Sequence, residues 1–551
     1  MNFPLPLSLR SLRSLWAIGL VLLLAPVLFS APASPELTAK IDALFAKWDK
    51  PDSPGVIVAI ARDGETIHAR GYGMANLEHG IALTPATVSE SGSVAKQFTA
   101  AGVVLLAQRG KLSLDDSIRK HLPEMSAAIC DAITVRMLLN HTSGLRDIHG
   151  LFDLMGRPSY SSAHDNAEVV RVMSRQRQLN FAPGTEYLYC NASYILAAVI
   201  VARVSGQSFG AFCDEHVFRP HGMTHTRWRD DFAVVVTGRA AGYERKPSGG
   251  YRIDIPYSNL VGNGGLLTTV GDLLKWNASF DGATGEWAEV VRALQTPSKL
   301  NDGRVLDYGL GLSIDDHAGL RQISHGGSTA GYKTFLARLP ERRLSLAVLG
   351  NAADFNAPAV SHSLLQLLLD TARARRPAAK AGPAEGLTER AGMYHCAQTD
   401  TLLTLSAKNG RLMLGGTELL PTGPGAFSSP DGKTAFIFTG ERSRALKITA
   451  NSGVSTFGAV AQVKPTADQL AAYAGIYASE ELDVTYTVAV REGRLAFTHW
   501  PEEPELGDAT FADRFKFAGA WHTTFTRDAA GRITGCEFTN GRCRRVRFER
   551  R

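Results

Sequence analysis

Two copies of one pattern lie end to end in the C-terminal third of the chain. "AGMYHCAQTDTLLTLSAKNGRLML", from Ala391, matches "AGIYASEELDVTYTVAVREGRLAF", from Ala474, and the Ala-Gly-x-Tyr and Gly-Arg-Leu landmarks keep one offset in both (391 to 474, and 410 to 493). A duplicated unit must fold twice in the same way, which removes most architectures from consideration. In the second copy Val484, Tyr486, Val488 and Val490 alternate with Thr485, Thr487 and Ala489, the period-two pattern of a half-buried strand. Short strands punctuated by "KNG", "REG", "DAAG" and "TNG" imply two small antiparallel β-barrels, at 387–463 and 466–551. Neither copy holds a convincing catalytic cluster, so the chemistry is expected upstream.

Upstream, residues 36–371 mix helices with alternating strands, and "ARARRPAAKAGPAEG", 372–386, breaks that pattern as a linker. The first 33 residues read as an export signal: Arg10 and Arg13, the apolar "LWAIGLVLLLAPVLF", and small residues ending at Ala33. Cleavage there would leave a periplasmic or secreted protein beginning near Ser34. The apolar run, about fifteen residues and interrupted by Pro26, falls short of the roughly twenty needed to span a bilayer, so no stable membrane anchor is expected.

A chain of 551 residues that is 44% apolar and 20% charged is globular. Its net charge of +6 comes without a basic recognition motif, which argues against nucleic acid as a partner. Six cysteines are too sparse for a disulfide scaffold, and mostly free thiols are expected. A two-residue turn at Asn540-Gly541 would set Cys536 opposite Arg545 and Cys543 opposite Phe538, so those sulfurs would meet only diagonally. Without C-x-x-C or H-E-x-x-H, no metal and no cofactor is expected.

Two serines are followed three places later by lysine: Ser93-Lys96 and Ser117-Lys120. After Ser93, "SVAKQFTAAGVVLLAQRG" carries Val94, Phe98, Ala101 and Leu105 at helical spacing and stops at Gly110, a good C-cap. Ser93 and Lys96 would share one face at the start of a buried helix, whose free N–H groups favour developing negative charge. Ser117 follows "LSLDD" and precedes "IRKHLPEM"; it reads as an exposed first turn, with Asp115 or Asp116 capping and Lys120 in water.

"SPGVIVAIARDGETIHARGYGMANLEHG", "GSVAKQFTA", "GKLSLDDSI", "LLNHTSGLRD", "FAPGTEYLYCNASYILAAVI", "GNGGLLTTVGDLLKW" and "ISHGGSTAGYKTFLARLP" follow one another in an order that resembles the serine β-lactamase and penicillin-binding-protein superfamily. The likeness is narrower to its class C-like branch of esterases, D-alanyl-D-alanine carboxypeptidases and D-aminopeptidases. It implies an α+β catalytic domain, an antiparallel sheet with flanking helices plus an all-helical subdomain, ahead of the two barrels. Its three motifs fall on Ser93-x-x-Lys96, Tyr189-Cys190-Asn191 and His325-Gly326-Gly327, with histidine where K-T-G has lysine. A second Y-x-N, Tyr257-Ser258-Asn259, lacks the preceding turn and the following apolar helix and reads as a surface decoy.

The residue types suit acyl transfer. Ser93 would attack a carbonyl and hold the acyl group. Lys96, desolvated, would give up its proton readily and serve as base or relay. Tyr189 would shuttle a proton to the leaving group, and Asn191 would grip substrate or orient Lys96. His325, on an edge strand, would bond Tyr189 or substrate, while Gly326 and Gly327 admit a substrate chain. The resemblance implies an oxyanion hole from the N–H groups of Ser93 and Ser328. His141, in "HTSGLRD", reads as a turn histidine bonded to nearby backbone, and "GNGGLL", Gly262 to Leu267, lacks the lysine of a phosphate loop.

The substrate is expected to be a small peptide, ester or β-lactam-like molecule. "YLYCN", "HGG" and the two barrels lean toward a peptidase of D-amino-acid-containing peptides; "STAGYKTFLARLP" leans toward generic esterases and β-lactamase-like proteins. A carboxylesterase, a β-lactamase or carboxypeptidase, and an acylated sensor without turnover are the alternatives. The resemblance also implies that a loop of the last domain reaches the site. "HWPEEPELGD", 499–508, is the candidate, with Glu502, Glu503, Glu505 and Asp508 attracting a substrate ammonium and disfavouring a carboxylate. A homodimer is the oligomeric expectation.

Overall fold

The computed structural model describes residues 32–369, 386–440, 445–450, 453–499, 503–517 and 521–551. The expected leader, up to residue 31, and the expected linker, up to residue 385, lie outside the described residues. The elements that position the site are α1 (Pro35–Phe45), β1 (Val56–Arg62), β2 (Glu65–Tyr72), α2 (Lys96–Gln108), α3 (Ile148–Leu154), α4 (Asn191–Ser205), α5 (Val270–Ala278), β3 (Ser313–His317), β4 (Leu320–Thr329), β5 (Tyr332–Leu339), β6 (Leu344–Gly350) and α6 (Ala357–Leu368).

The six strands form one antiparallel sheet in the order β3-β4-β5-β6-β1-β2. The central strands β1 and β6 are apolar and buried along almost their whole length because both faces of the sheet are covered there. Along β1, Val56, Val58 and Ile60 pack with Ile41 and Phe45 of α1 and Leu364 and Leu365 of α6. The intervening Ile57, Ala59 and Ala61 face the opposite way, into the core that holds α2, α4 and α5. The helix α4, "NASYILAAVIVARVS", is buried from Asn191 to Ala198 and ends on Gly206 at φ +73°, a left-handed cap that glycine adopts without a Cβ penalty. It can be apolar on every side because it lies in the centre of the helical subdomain.

After the sheet come two closed eight-stranded barrels, one running from Gly392–Cys396 to Gly453–Val460, the other from Gly475–Ser479 to Val546–Arg550. The repeated landmarks do the same work twice. Tyr394 Oη donates to the carbonyl of Arg390 at 3.0 Å and Tyr477 Oη to that of Tyr473 at 2.8 Å, each ring buried in its barrel. Asn409-Gly410 and Glu492-Gly493 both take positive φ, the turn geometry that suits the twist of two-residue hairpins. Leu412 and Leu495, just beyond, are buried in their cores.

The hairpin at Asn540 differs from the two-residue expectation. Cys536 stands opposite Phe548 and Phe538 opposite Val546, leaving a longer loop. The cause is local: Asn540 Oδ1 accepts from the N–H groups of Arg542 and Cys543, and Arg545 N donates to Thr539 Oγ1, so the side chain makes its own wider turn. All six cysteines are free and buried.

This loop docks the second barrel on the catalytic domain. Arg146, its side chain wholly buried, donates to the carbonyls of Arg544 at 3.1 Å and Arg545 at 2.7 Å and pairs with Glu481 of the barrel at 2.6 Å. Asn180 accepts from Arg544 N and donates to the Arg542 carbonyl, and Tyr486 Oη bonds the carbonyl that ends α3, Leu154. The barrel core is continuous with that of the catalytic domain.

Candidate active site

Ser93 sits in a single tight turn, Gly92–Ala95, that runs directly into α2. It is half-buried and faces a cleft of about 740 Å³, while Lys96, one turn on, is fully buried. Lys96 Nζ lies 3.2 Å from Ser93 Oγ and donates to Asn191 Oδ1 at 2.9 Å and to the Asn263 carbonyl at 2.6 Å. Two of its three hydrogens are thus taken by fixed acceptors and the remaining direction points at the serine. Burial drives its pKa well below that of an ordinary lysine; the negative Asp147 works against this shift, and the positive Arg542 with it.

Asp147 is the acid that orients this group. It caps α3 by accepting from His149 N at 3.1 Å, and its other oxygen accepts from Asn191 N at 2.6 Å and Asn191 Nδ2 at 2.9 Å. The Asn191 amide is thereby turned so that only its oxygen can face Lys96. Tyr189, two residues before, lies with its ring centroid 4.8 Å from Lys96 Nζ and 4.9 Å from the Arg542 guanidinium. Burial holds its phenol far above the usual range, opposed by the Ser93 hydroxyl and by the Arg542 charge.

The third motif lies on β4. That strand is second in the sheet, yet its neighbour β3 pairs only as far as Ser324, so residues 325–329 present an unpaired edge to the cleft. Glycine is required where this edge meets the serine turn. Gly92 has φ +52° and a Cβ there would stand 2.7 Å from Ser328 N; a Cβ on Gly327 would meet the Ser91 carbonyl at 2.1 Å. Thr334 Oγ1 fastens the two by donating to that carbonyl at 2.6 Å. The Ser328 backbone is therefore held against the turn that carries Ser93. A Cβ on Gly326 would make ordinary contact with Phe335 at 3.8 Å, so no close approach forces glycine there.

Of its two expected partners, Tyr189 or substrate, His325 does not bond Tyr189. Its Nδ1 bonds the Gly326 carbonyl at 2.7 Å, which assigns the proton there, and Nε2 accepts from Tyr308 Oη at 3.0 Å. Burial and the Lys96 charge push the imidazole down to about 4, so it is neutral at neutral pH. Both ring nitrogens are satisfied by this chain, which fits a structural strut at the cleft wall.

His141 supports the second motif. It takes φ +62°, is wholly buried, and its Nδ1 accepts from Cys190 N at 3.1 Å, with the Tyr189 ring 4.2 Å away. It does bond backbone from a turn, but backbone 49 residues off. Of the other expectations, Ser117 itself caps its short turn, while Lys120 pairs with Asp116 in an exposed position. Tyr257 is exposed, whereas Ser258 lines the cleft and its carbonyl accepts from Arg229.

The described residues of the acidic loop are placed elsewhere. Glu503 and Glu505 line a separate cavity of about 170 Å³ with Asp153 and the barrel aromatics Phe497, Phe517 and Phe538; Asp508 pairs with Arg494 at 2.8 Å; Glu502 lies outside the described residues. Among the described residues, the part of the last barrel that lines the cleft is Arg542. Sequence reasoning passed over Asp147, Asn263, Tyr308 and Arg542. "HTSGLRD" and "GNGGLL" did carry two of them, in segments read as a turn and a failed phosphate loop. Among the described residues no cluster of histidine, cysteine and acids could hold a metal ion.

Comparison with known proteins agrees with this geometry. The chain is 30% identical over 318 residues to a D-aminopeptidase of Gluconobacter oxydans, a stretch that spans 58% of this chain and 59% of that protein. It is 28% identical over 534 residues to a D-aminopeptidase of Brucella ovis, spanning 94% and 99%. The fold is similar to the octameric penicillin-binding protein homologue from Pyrococcus abyssi (TM-score 0.54, 20% identity, 86% of this chain and 99% of that one). It is also similar to the D-amino acid amidase from Ochrobactrum anthropi SV3 (0.51, 22%, 61% and 99%). The beta-lactamase family profile covers residues 41–371, and with a serine, a buried lysine and a tyrosine gathered at one cleft the chain belongs to that family, as a serine hydrolase.

Proposed function

We propose that the chain is an exported peptidase that removes an N-terminal D-amino acid through an acyl-enzyme on Ser93. The observation that carries the chemistry is the Lys96 amine, wholly buried, with two hydrogens committed to Asn191 and Asn263 and its third direction on Ser93. A neutral amine held this way has its lone pair aimed at the serine proton. Ser93 Oγ then attacks the carbonyl as its proton passes to Lys96 Nζ, and the Ser93 and Ser328 N–H groups receive the oxyanion. Collapse breaks the C–N bond, and Lys96, with Tyr189 as relay, returns the proton to the leaving nitrogen. Water, deprotonated by the same amine, releases the acyl group and regenerates Ser93.

Two observations support the substrate. The relative matched over 94% of this chain carries the name D-aminopeptidase. At the cleft wall Asn263 Oδ1 is buried without a partner, an acceptor suited to a substrate amino group. The esterase reading has its own support in the half-exposed Ser93 and a cleft wide enough for an ester.

One panel separates the readings: D-Ala-p-nitroanilide, its L-isomer, p-nitrophenyl acetate, nitrocefin and a D-Ala-D-Ala peptide, each with and without Ser93→Ala. The reading expects the D-anilide to be cleaved at least tenfold faster than the L-anilide, with all activity lost in Ser93→Ala. Cleavage of acetate alone would sink it. Secretion of the full chain from a bacterial host, with a mature N-terminus near Ser34, tests export, and light scattering of that protein tests the homodimer.

A further inference from the structure

Among the described residues, the one that the second barrel brings to the cleft is a cation whose guanidinium has no ionic or hydrogen-bonded partner. Arg542 is exposed, lines the cleft, and lies with its guanidinium 4.9 Å from the centre of the Tyr189 ring. Among the described residues it enters no ion pair, and its only hydrogen bonds are through its backbone. The other charged groups at the cleft are committed: Arg229 to Glu90, Lys333 to the Ala330 carbonyl, Asp354 to Arg245. The backbone of Arg542 is clamped. Its N–H donates to Asn540 Oδ1, and its carbonyl accepts from Asp147 N at 3.2 Å and Asn180 Nδ2 at 2.9 Å. Arg146 holds two further carbonyls of the same loop, those of Arg544 and Arg545. A hairpin tip fixed by so many bonds, with one free guanidinium turned to the catalytic tyrosine, is preorganised for an anion.

We propose that Arg542 is a subsite for the free α-carboxylate of the leaving amino acid, so that the enzyme prefers dipeptides with a D-residue first. The inference rests on the peptidase reading above. Tyr189 is the group placed to return the proton to the leaving nitrogen, so the leaving group stands beside it and beneath Arg542. In a dipeptide the carboxylate carbon is only two bonds from that nitrogen, about 2.5 Å away, within a guanidinium's reach. Each added residue moves the carboxylate on by up to about 3.5 Å. The planar fork of arginine suits a carboxylate in two parallel hydrogen bonds, which lysine cannot supply. This is opposite in sign to the acidic loop expected from the sequence, which would have disfavoured a carboxylate.

The test uses the full-length protein and three substrates that share their acyl half: D-Ala-Gly, D-Ala-glycinamide and D-Ala-Gly-Gly. The expected kcat/KM for D-Ala-Gly is at least tenfold above that for the amide, with the difference in KM, and the tripeptide falls between. In Arg542→Gln the ratio of acid to amide collapses to within threefold; in Arg542→Lys part of it remains; raising the salt concentration shrinks it in the wild type. A wild-type ratio near one, or one that Arg542→Gln leaves in place, overturns the subsite. Failure of the peptidase reading looks different: none of the three substrates nor D-Ala-p-nitroanilide is cleaved. Calorimetry of D-Ala-Gly and D-Ala-glycinamide on Ser93→Ala then decides the subsite by binding alone. Tighter binding of the acid, lost in Ser93→Ala/Arg542→Gln, sustains it; equal or absent binding overturns it.

Discussion

Asp147 makes no contact with Ser93, yet the geometry assigns it control of the pH dependence. It is 2% exposed and accepts three hydrogen bonds: one from His149 N, as cap of α3, and two from Asn191. In Asp147→Ala the lost cap costs about 1 kcal/mol, and stranding the two Asn191 donors in the interior costs about 1–3 more. A loss of about 2–4 kcal/mol lowers Tm by several degrees. Asp147→Asn keeps the shape but removes the charge and replaces one of two acceptor oxygens with an N–H donor. That charge is the main influence holding the proton on Lys96 against burial, so its removal lets the lysine lose the proton at still lower pH. The acid limb of kcat/KM, which reports the free amine, should move to lower pH in Asp147→Asn. Its plateau should fall about tenfold or more, because Asn191 is no longer held. The assay is kcat/KM for D-Ala-p-nitroanilide across pH, with thermal melting alongside. A limb that stays in place or moves to higher pH would refute the assignment of Lys96 as the base.

Other consequences are as direct. Gly92→Ala would set a Cβ 2.7 Å from Ser328 N in a left-handed turn, so activity should fall at least a hundredfold while melting shifts by only a few degrees. His325 binds its proton at about 4 in the folded state and near 6.5 when unfolded. The unfolded chain therefore holds the extra proton in this window, stability rises with pH through it, and acidification from 6.5 to 4 costs up to about 3 kcal/mol from this group. Denaturant titrations of His325→Gln should show a flatter slope there. Arg146→Ala leaves Glu481 buried and unpaired and frees the loop that carries Arg542, so the second barrel should become sensitive to proteolysis before the catalytic domain.

Much of this was written in local patterns. The barrels were legible because a strand pairing with its sequence neighbour needs only alternation and a turn, and "KNG" and "REG" supplied both. Ser93, Lys96, Tyr189 and Asn191 were legible because each falls within a short motif at the start of a helix. Asp147 and Asn263 were not, since their roles are set by partners 44 and 167 residues away, and one of them acts through its backbone carbonyl, which any residue type carries. The clearest miss was the loop of the last barrel. An acidic run looked suited to an ammonium, but which hairpin tip reaches the cleft depends on how the barrel docks. Arg146, buried in the catalytic domain and bonded to carbonyls 398 and 399 residues on, fixes that.

The account stands on a covalent intermediate at Ser93. Mixing the full-length protein with excess D-Ala-p-nitroanilide, quenching in acid within the first turnovers and measuring intact mass should reveal a species heavier by one alanyl group. Digestion should place that group on the peptide containing Ser93, and Ser93→Ala should give neither adduct nor nitroaniline. An adduct on another residue, or undiminished turnover by Ser93→Ala, would contradict the central claim.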